Sequence, residues 1–161
     1  MKKYLILIFL FLFFTNISSA GIIKASNIGK FNKIFDVRLQ PNEFRITATN
    51  FGKKNNNKSF VIMLKFKGEK ISTGDIFKAE KYLDGEGNSA DVVYIKQWTT
   101  TNHITYMEQY SSFNNNGFVK ITKAGKYYVE GTFKLILSTI EYPNASPKKT
   151  ITTKGYFKVN Y

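Results

Sequence analysis

Two short stretches of this chain hold the side chains best suited to gripping another molecule. Tyr94, Lys96 and Trp98 alternate along one, and Tyr106, Glu108 and Tyr110 alternate along the next. Residues two apart on a strand point to the same side, so pairing the stretches as a hairpin gathers Tyr94, Lys96, Trp98, Tyr106 and Tyr110 on one face. Such a platform suits sugar rings by stacking, or a partner protein by anchoring, because Tyr and Trp join a large apolar area to a polar tip. Lys96 adds attraction for an anionic partner. The same alternation also suits a face turned inward and held by cross-strand pairs, and both readings stay open.

The other chemistry-bearing residues form no complete set. Asp84, Glu86 and Asn88 imitate the first ligands of a calcium loop, but Ser89 stands where such a loop needs glycine and Ile95 where it needs a bidentate glutamate. Asp84, Glu86 and Asp91 are the only locally clustered carboxylates, and they surround a glycine-rich turn, a poor base for glycoside hydrolysis. His103 is the only histidine and there is no cysteine. A catalytic triad, a cysteine nucleophile, a cysteine zinc site and cysteine-linked haem are therefore not expected. No cofactor and no metal is expected, with Asp84, Glu86 and Asn88 kept as a weak calcium candidate, and the chain reads as non-enzymatic.

The elements that must position these residues are strands. Phe44, Ile46 and Ala48 alternate with polar neighbours; Phe60, Ile62, Leu64 and Phe66 do the same. Asp91 to Trp98 and Ile104 to Tyr110 form the hairpin described above, and Asn114 to Gly117 reads as another hairpin turn. Val129, Gly131, Phe133, Leu135 and Leu137 share a face, as do Ile151, Thr153, Gly155, Phe157 and Val159. Ser72 to Leu83 suits a helical turn or a short strand. The count is about eight to nine strands, spaced as in a single antiparallel β-sandwich or a sandwich-like barrel.

Both terminal strands carry Gly-x-Phe, at Gly131–Phe133 and Gly155–Phe157, which predicts a ring packed beside a missing side chain. Around them, Gly117 to Thr122, Val129 to Phe133 and Lys154 to Val159 resemble the C-terminal strands of small exported bacterial β-sandwich proteins, many of them lipoproteins. The resemblance covers mainly the last third of the chain and, more loosely, the strands from Phe44 onward. It implies a fold and a compartment, and no activity or site residues. The lipid-bearing cysteine of the lipoproteins has no counterpart here.

The start of the chain agrees with that compartment. Lys2 and Lys3 precede the apolar run Tyr4 to Phe14, and Ser18-Ser19-Ala20 offers small residues for cleavage, the pattern of a secretory signal peptide over 1–20. The run is too short for the roughly 20 apolar residues of a membrane span. The mature chain is thus expected to be soluble and periplasmic or extracellular. It would comprise a mobile lead-in over 21–30 and one all-β domain over 31–161, held without disulfides. Loss of Lys2 and Lys3 lowers the formal charge of +13 by two and leaves the chain strongly basic. The charge is nearly all lysine, with Arg38 and Arg45 the only arginines. Forked phosphate recognition favours arginine, so nucleic acid is not the expected partner. An anionic surface polymer, a glycan or a protein is. The expected function is a non-enzymatic binding module. A structural protein that pairs through a strand edge is the alternative, and a secreted hydrolase ranks third.

Overall fold

The computed structural model describes residues 20–51, 56–66, 70–79, 87–139 and 149–161. The leader over 1–19, Asp84 and Glu86 lie outside these. All regular structure among the described residues is strand. In chain order the strands are β1 (Gly21–Ala25), β2 (Gly29–Phe31), β3 (Lys33–Gln40), β4 (Glu43–Phe51), β5 (Asn57–Lys65), β6 (Ile76–Ala79), β7 (Ser89–Thr99), β8 (Thr105–Gly125), β9 (Tyr128–Thr139) and β10 (Thr150–Asn160). They hydrogen-bond in the order β2-β1-β10-β9-β8-β6-β7-β5-β4-β3, with a further β7–β8 pairing. Every pairing is antiparallel except the short parallel contact of β6 with β7. The all-β, sandwich-like fold read from the sequence is therefore present, with ten strands and one parallel contact.

The two ends of that order are joined by a single residue. β2 pairs with β1, the chain passes through Asn32, and β3 pairs with β4. One nearly continuous strand thus links the two ends of the hydrogen-bonded order and passes from one layer to the other, as at the corner of a sandwich. β8 makes the second corner. Its first part pairs with β7 and its later part with β6, while β9 runs alongside both. Between Ser112 and Gly117 five chain steps on β8 face two on β9, so Asn114 to Asn116 swell into a bulge. The hairpin turn read at Asn114–Gly117 is corrected accordingly. Asn-Gly favours positive φ, which a bulge uses as readily as a turn, and Gly117 sits at φ 142°. Just before the bulge, the Ser112 hydroxyl donates to the buried Asp91 carboxylate (3.3 Å) and accepts from the Val92 N–H (3.0 Å).

The alternating apolar faces meet between the two layers. Phe44, Ile46, Ala48, Phe60, Ile62, Leu64 and Val92 line one side, and Phe31, Val129, Phe133, Leu135, Phe157 and Val159 the other; all are buried. Rings connect the layers. The centroid of Phe60 lies 5.6 Å from that of Phe31 and 5.6 Å from that of Phe133, and Phe44 lies 5.5 Å from Tyr161. Each such pair contributes about 0.5–1.5 kcal/mol beyond simple burial.

The Gly-x-Phe motifs interlock within one sheet. Gly131 lies opposite Phe157, and Gly155 opposite Phe133. A Cβ built on Gly131 would meet the Phe157 ring at 2.5 Å; one built on Gly155 would meet the Phe133 ring at 2.6 Å and collide with the Lys24 carbonyl. Each ring occupies the space the glycine on the neighbouring strand leaves free.

One boundary changes. Gly21 to Lys30, read as a lead-in, forms β1 and most of β2. β1 pairs with β10 from Gly21–Val159 to Ala25–Gly155, and Ile23, Ala25 and Ile28 are buried. The all-β domain therefore includes this segment. Its apolar pattern is too short to announce a strand without the partner that completes it.

Candidate functional site: a projecting aromatic hairpin

β7 and β8 pair in the register that brings the aromatic set together. Tyr94 faces Tyr110, Lys96 faces Glu108, and Trp98 faces Tyr106. The face is continuous with the core, because Tyr94 also sits opposite the buried Phe60 on β5. Along the hairpin it passes from the interior to the solvent. Tyr94 and Tyr110 are buried, Lys96 and Trp98 half-buried, and Tyr106 is 46% exposed. Tyr94 and Tyr110 therefore form the footing, and the outer pair Trp98 and Tyr106 forms the accessible part.

Among the described residues, the end of the hairpin extends past its neighbours. β5 stops pairing with β7 at Asn57–Gln97, and β9 begins pairing with β8 at Thr139–Tyr110. Among the described residues, 98–107 is thus a ribbon of two strands. A bare ribbon of this kind is marginal in water. Side chains and the turn hold it. The Trp98 and Tyr106 rings stack at 5.6 Å and 16°, Lys96 Nζ lies 5.0 Å over the indole, and the Thr99 and Thr105 hydroxyls meet at 3.1 Å. At the turn, the Thr100 N–H donates to the Ile104 carbonyl (2.9 Å) and the His103 N–H to the Thr100 carbonyl (3.0 Å). His103 takes φ 60°, a conformation in which histidine is enriched, and its ring is exposed. Its visible role is in the turn. Among the described residues no group of three His, Asp or Glu side chains is placed to hold a metal. Asn88, the described member of the calcium candidate, accepts from the Lys78 N–H through its backbone carbonyl.

Polar groups fasten the base of the ribbon. Lys149 pairs with the Glu108 carboxylate, which also accepts from the Tyr110 hydroxyl at 3.4 Å. The hydrogen bond from Lys149 is the main cause that holds the Glu108 carboxyl below its ordinary range. Burial, then the neighbouring Tyr110, then Glu108, push the Tyr94 hydroxyl above the ordinary tyrosine value. Tyr110 is raised by burial first and then by Glu108. Both phenols therefore stay neutral through the physiological range.

The surface this builds differs from a flat stacking platform. Trp98 and Tyr106 turn ring faces toward each other and Lys96 lies over the indole, so less ring face is left open for stacking. Two exposed apolar side chains join them: Met107 (65% exposed) on the opposite side of the ribbon, and Ile104 (52%) beside the turn. Residues 98–107 contain no Asp, Glu, Lys or Arg in a chain that is 22% charged. Sequence reasoning passed over Ile104 and Met107; the absence of charge between Lys96 and Glu108 was the signal that would have found them. No family model, no curated protein and no solved structure matches this chain.

Proposed function

We propose that this is an exported, non-enzymatic binding module that presents the β7–β8 hairpin to a protein of the cell envelope. The observation that carries the reading is the two-stranded ribbon that 98–107 forms among the described residues, uncharged, with Trp98 and Tyr106 on one side, Met107 on the other and Ile104 by the turn. Exposed apolar surface is costly to leave in water and marks interaction sites. A cleft in a partner that receives the ribbon covers Trp98 and Tyr106 on one side, Met107 on the other and Ile104 at the end. A sugar chain stacked on one face would leave Met107 bare. Export rests on the leader pattern of Met1 to Ala20.

The test places a photo-crosslinking residue at position 104 in cells that make the protein. A discrete protein adduct, lost when Trp98→Ala is added, is the expected result. Adducts to glycan alone, or none at either of two neighbouring positions, would overturn it.

A second reading, assembly through a strand edge, has its own support in β3. Phe35 is 70% exposed at the bulge between Ile34 and Asp36, and Leu39 is exposed near the strand's end. An exposed edge with apolar side chains invites pairing with another chain. Sedimentation separates the readings: a persistent oligomer dispersed by Phe35→Lys favours assembly, and a monomer at all concentrations removes it.

A further inference from the structure

The lysines of this protein are sorted by the fold. Across the outer face of the layer formed by β6, β8, β9, β10, β1 and β2, one cross-strand row reads Ile76, Lys120, Thr132, Tyr156, Lys24, Lys30. The row beside it reads Lys78, Phe118, Lys134, Lys154. A third row reads Lys123, Glu130, Lys158, Ile22. All of these lysines are exposed. The only carboxylate in the rows, Glu130, is bonded to Lys158 at 3.0 Å and lies 3.8 Å from Lys123. The outer face of the other layer is different. It is mostly half-buried or buried, with rows Thr47, Val61, Val93, Ser111 and Lys33, Thr49, Ser59, Ile95, Gln109, and its other cations, Arg38, Arg45 and Lys65, lie toward the β3–β4 turn.

On the first of these faces the lysines are concentrated, and in places opposed. Lys134 sits directly opposite Lys154, and Lys24 directly opposite Lys30. Opposed partners on neighbouring strands have Cβ atoms about 4.5–5.5 Å apart, where like charges are destabilising. Among the described residues these four lysines make no ion pair, and a local cost of that kind suits a surface kept for a partner.

We propose that this lysine face docks the protein flat on an anionic membrane surface. The array is two-dimensional, up to six strands wide, which suits a plane of headgroups rather than a single polymer strand. It holds neither Arg38 nor Arg45, which lie on β3 and β4, so it offers point charges rather than forked phosphate recognition. Exposed Ile76, Phe118 and Tyr156 stand among the lysines, where apolar and aromatic groups settle at the headgroup level while lysine stems lie along them. This surface is separate from the hairpin, and the proposal does not depend on what the hairpin binds.

The experiment measures partition of the purified protein onto phosphatidylcholine vesicles with and without phosphatidylglycerol. Binding should require the anionic lipid and weaken steeply with salt. Each lysine at an anionic surface changes partition about fivefold. Lys134→Gln with Lys154→Gln should therefore lower it about 25-fold, without lowering the melting temperature, because the opposed charges are gone. Lys33→Gln with Lys65→Gln removes the same charge from β3 and β5 and should cost at most about twofold. Emission from Trp98, the single tryptophan, should not shift on vesicle binding. Equal losses in the two double variants, binding indifferent to phosphatidylglycerol, or a Trp98 shift showing hairpin insertion would overturn the proposal. So would tight binding to a DNA duplex with none to the vesicles.

Discussion

Alanine at Gly155 or Gly131 interrogates the packing that closes the sandwich. In open strand, Gly→Ala would stabilise by about 0.5–1 kcal/mol, because glycine loses more freedom on folding. Here the new methyl has no room. At Gly131 it would lie 2.5 Å from Phe157 Cζ, 2.6 Å from Cε1 and 2.8 Å from the Lys120 carbonyl. At Gly155 it would collide with the Lys24 carbonyl, a backbone group fixed by the β1–β10 ladder. Overpacking costs about 1–3 kcal/mol, with the upper end expected where backbone rather than a ring must move. After the gain is subtracted, Gly155→Ala should destabilise by about 2 kcal/mol and Gly131→Ala by about 1 kcal/mol. For a domain of this size, 2 kcal/mol is roughly 5–10 °C in melting temperature. Thermal and urea unfolding followed by circular dichroism measure both. A double-mutant cycle then tests the cause. If the Phe157 ring fills the space of Gly131, Gly131→Ala should cost about 1 kcal/mol less when Phe157→Leu is already present. Gly155→Ala as stable as the parent, or a cycle with no coupling, would refute the interlocking of these motifs.

Four further outcomes are expected. Gly117→Ala should cost about 2–3 kcal/mol, because φ 142° is strained for an L residue and the methyl would sit 2.8 Å from Leu135 Cα; urea unfolding measures it. Trp98→Ala should cost only about 1 kcal/mol, the worth of a half-exposed ring pair, while abolishing crosslinking from position 104. Burial raises the Tyr94 and Tyr110 hydroxyls above the ordinary 10.0, so the folded state holds these protons more tightly than the unfolded one. Stability is then complete below pH 10.0 and falls as pH rises from there toward the folded values, and Tyr94→Phe should blunt that fall in alkaline unfolding curves. Lys149 holds Glu108 below the ordinary 4.5, so that contribution is present above pH 4.5 and lost as pH falls through the lower folded value. Lys149→Met should move the Glu108 carboxyl titration, followed by NMR, back up.

What could be read in the sequence was whatever a strand encodes locally. Phe44 to Ala48, Phe60 to Leu64 and Val129 to Leu137 alternate because one face is buried, and a slip of one residue would turn every ring outward. The shared face of Tyr94, Trp98, Tyr106 and Tyr110 followed from the same alternation on two neighbouring stretches, and the structure adds the register. Other features depend on partners distant in the chain. β1 is five residues long and becomes a strand by pairing with β10, more than a hundred residues away. The lysines at 24, 120, 134 and 154 each lie on a polar strand face that the sequence displays. Their assembly into one array follows from strand order, which no short-range pattern contains. At Asn114 to Gly117 the local signal was real, but a turn and a bulge share it. The overhang of residues 98–107 was hidden too, since it depends on where β5 and β9 stop.

If the β7–β8 ribbon is where this protein meets its partner, binding must change the surroundings of the single tryptophan, which stands on that ribbon. The most direct measurement is emission from Trp98, with its quenching by acrylamide, as the purified protein is titrated with the envelope protein captured by crosslinking. A blue shift with loss of quenching, saturating with binding and absent for Ile104→Asp with Met107→Asp, is the expected result. Saturable binding that leaves Trp98 emission and quenching unchanged would contradict the claim.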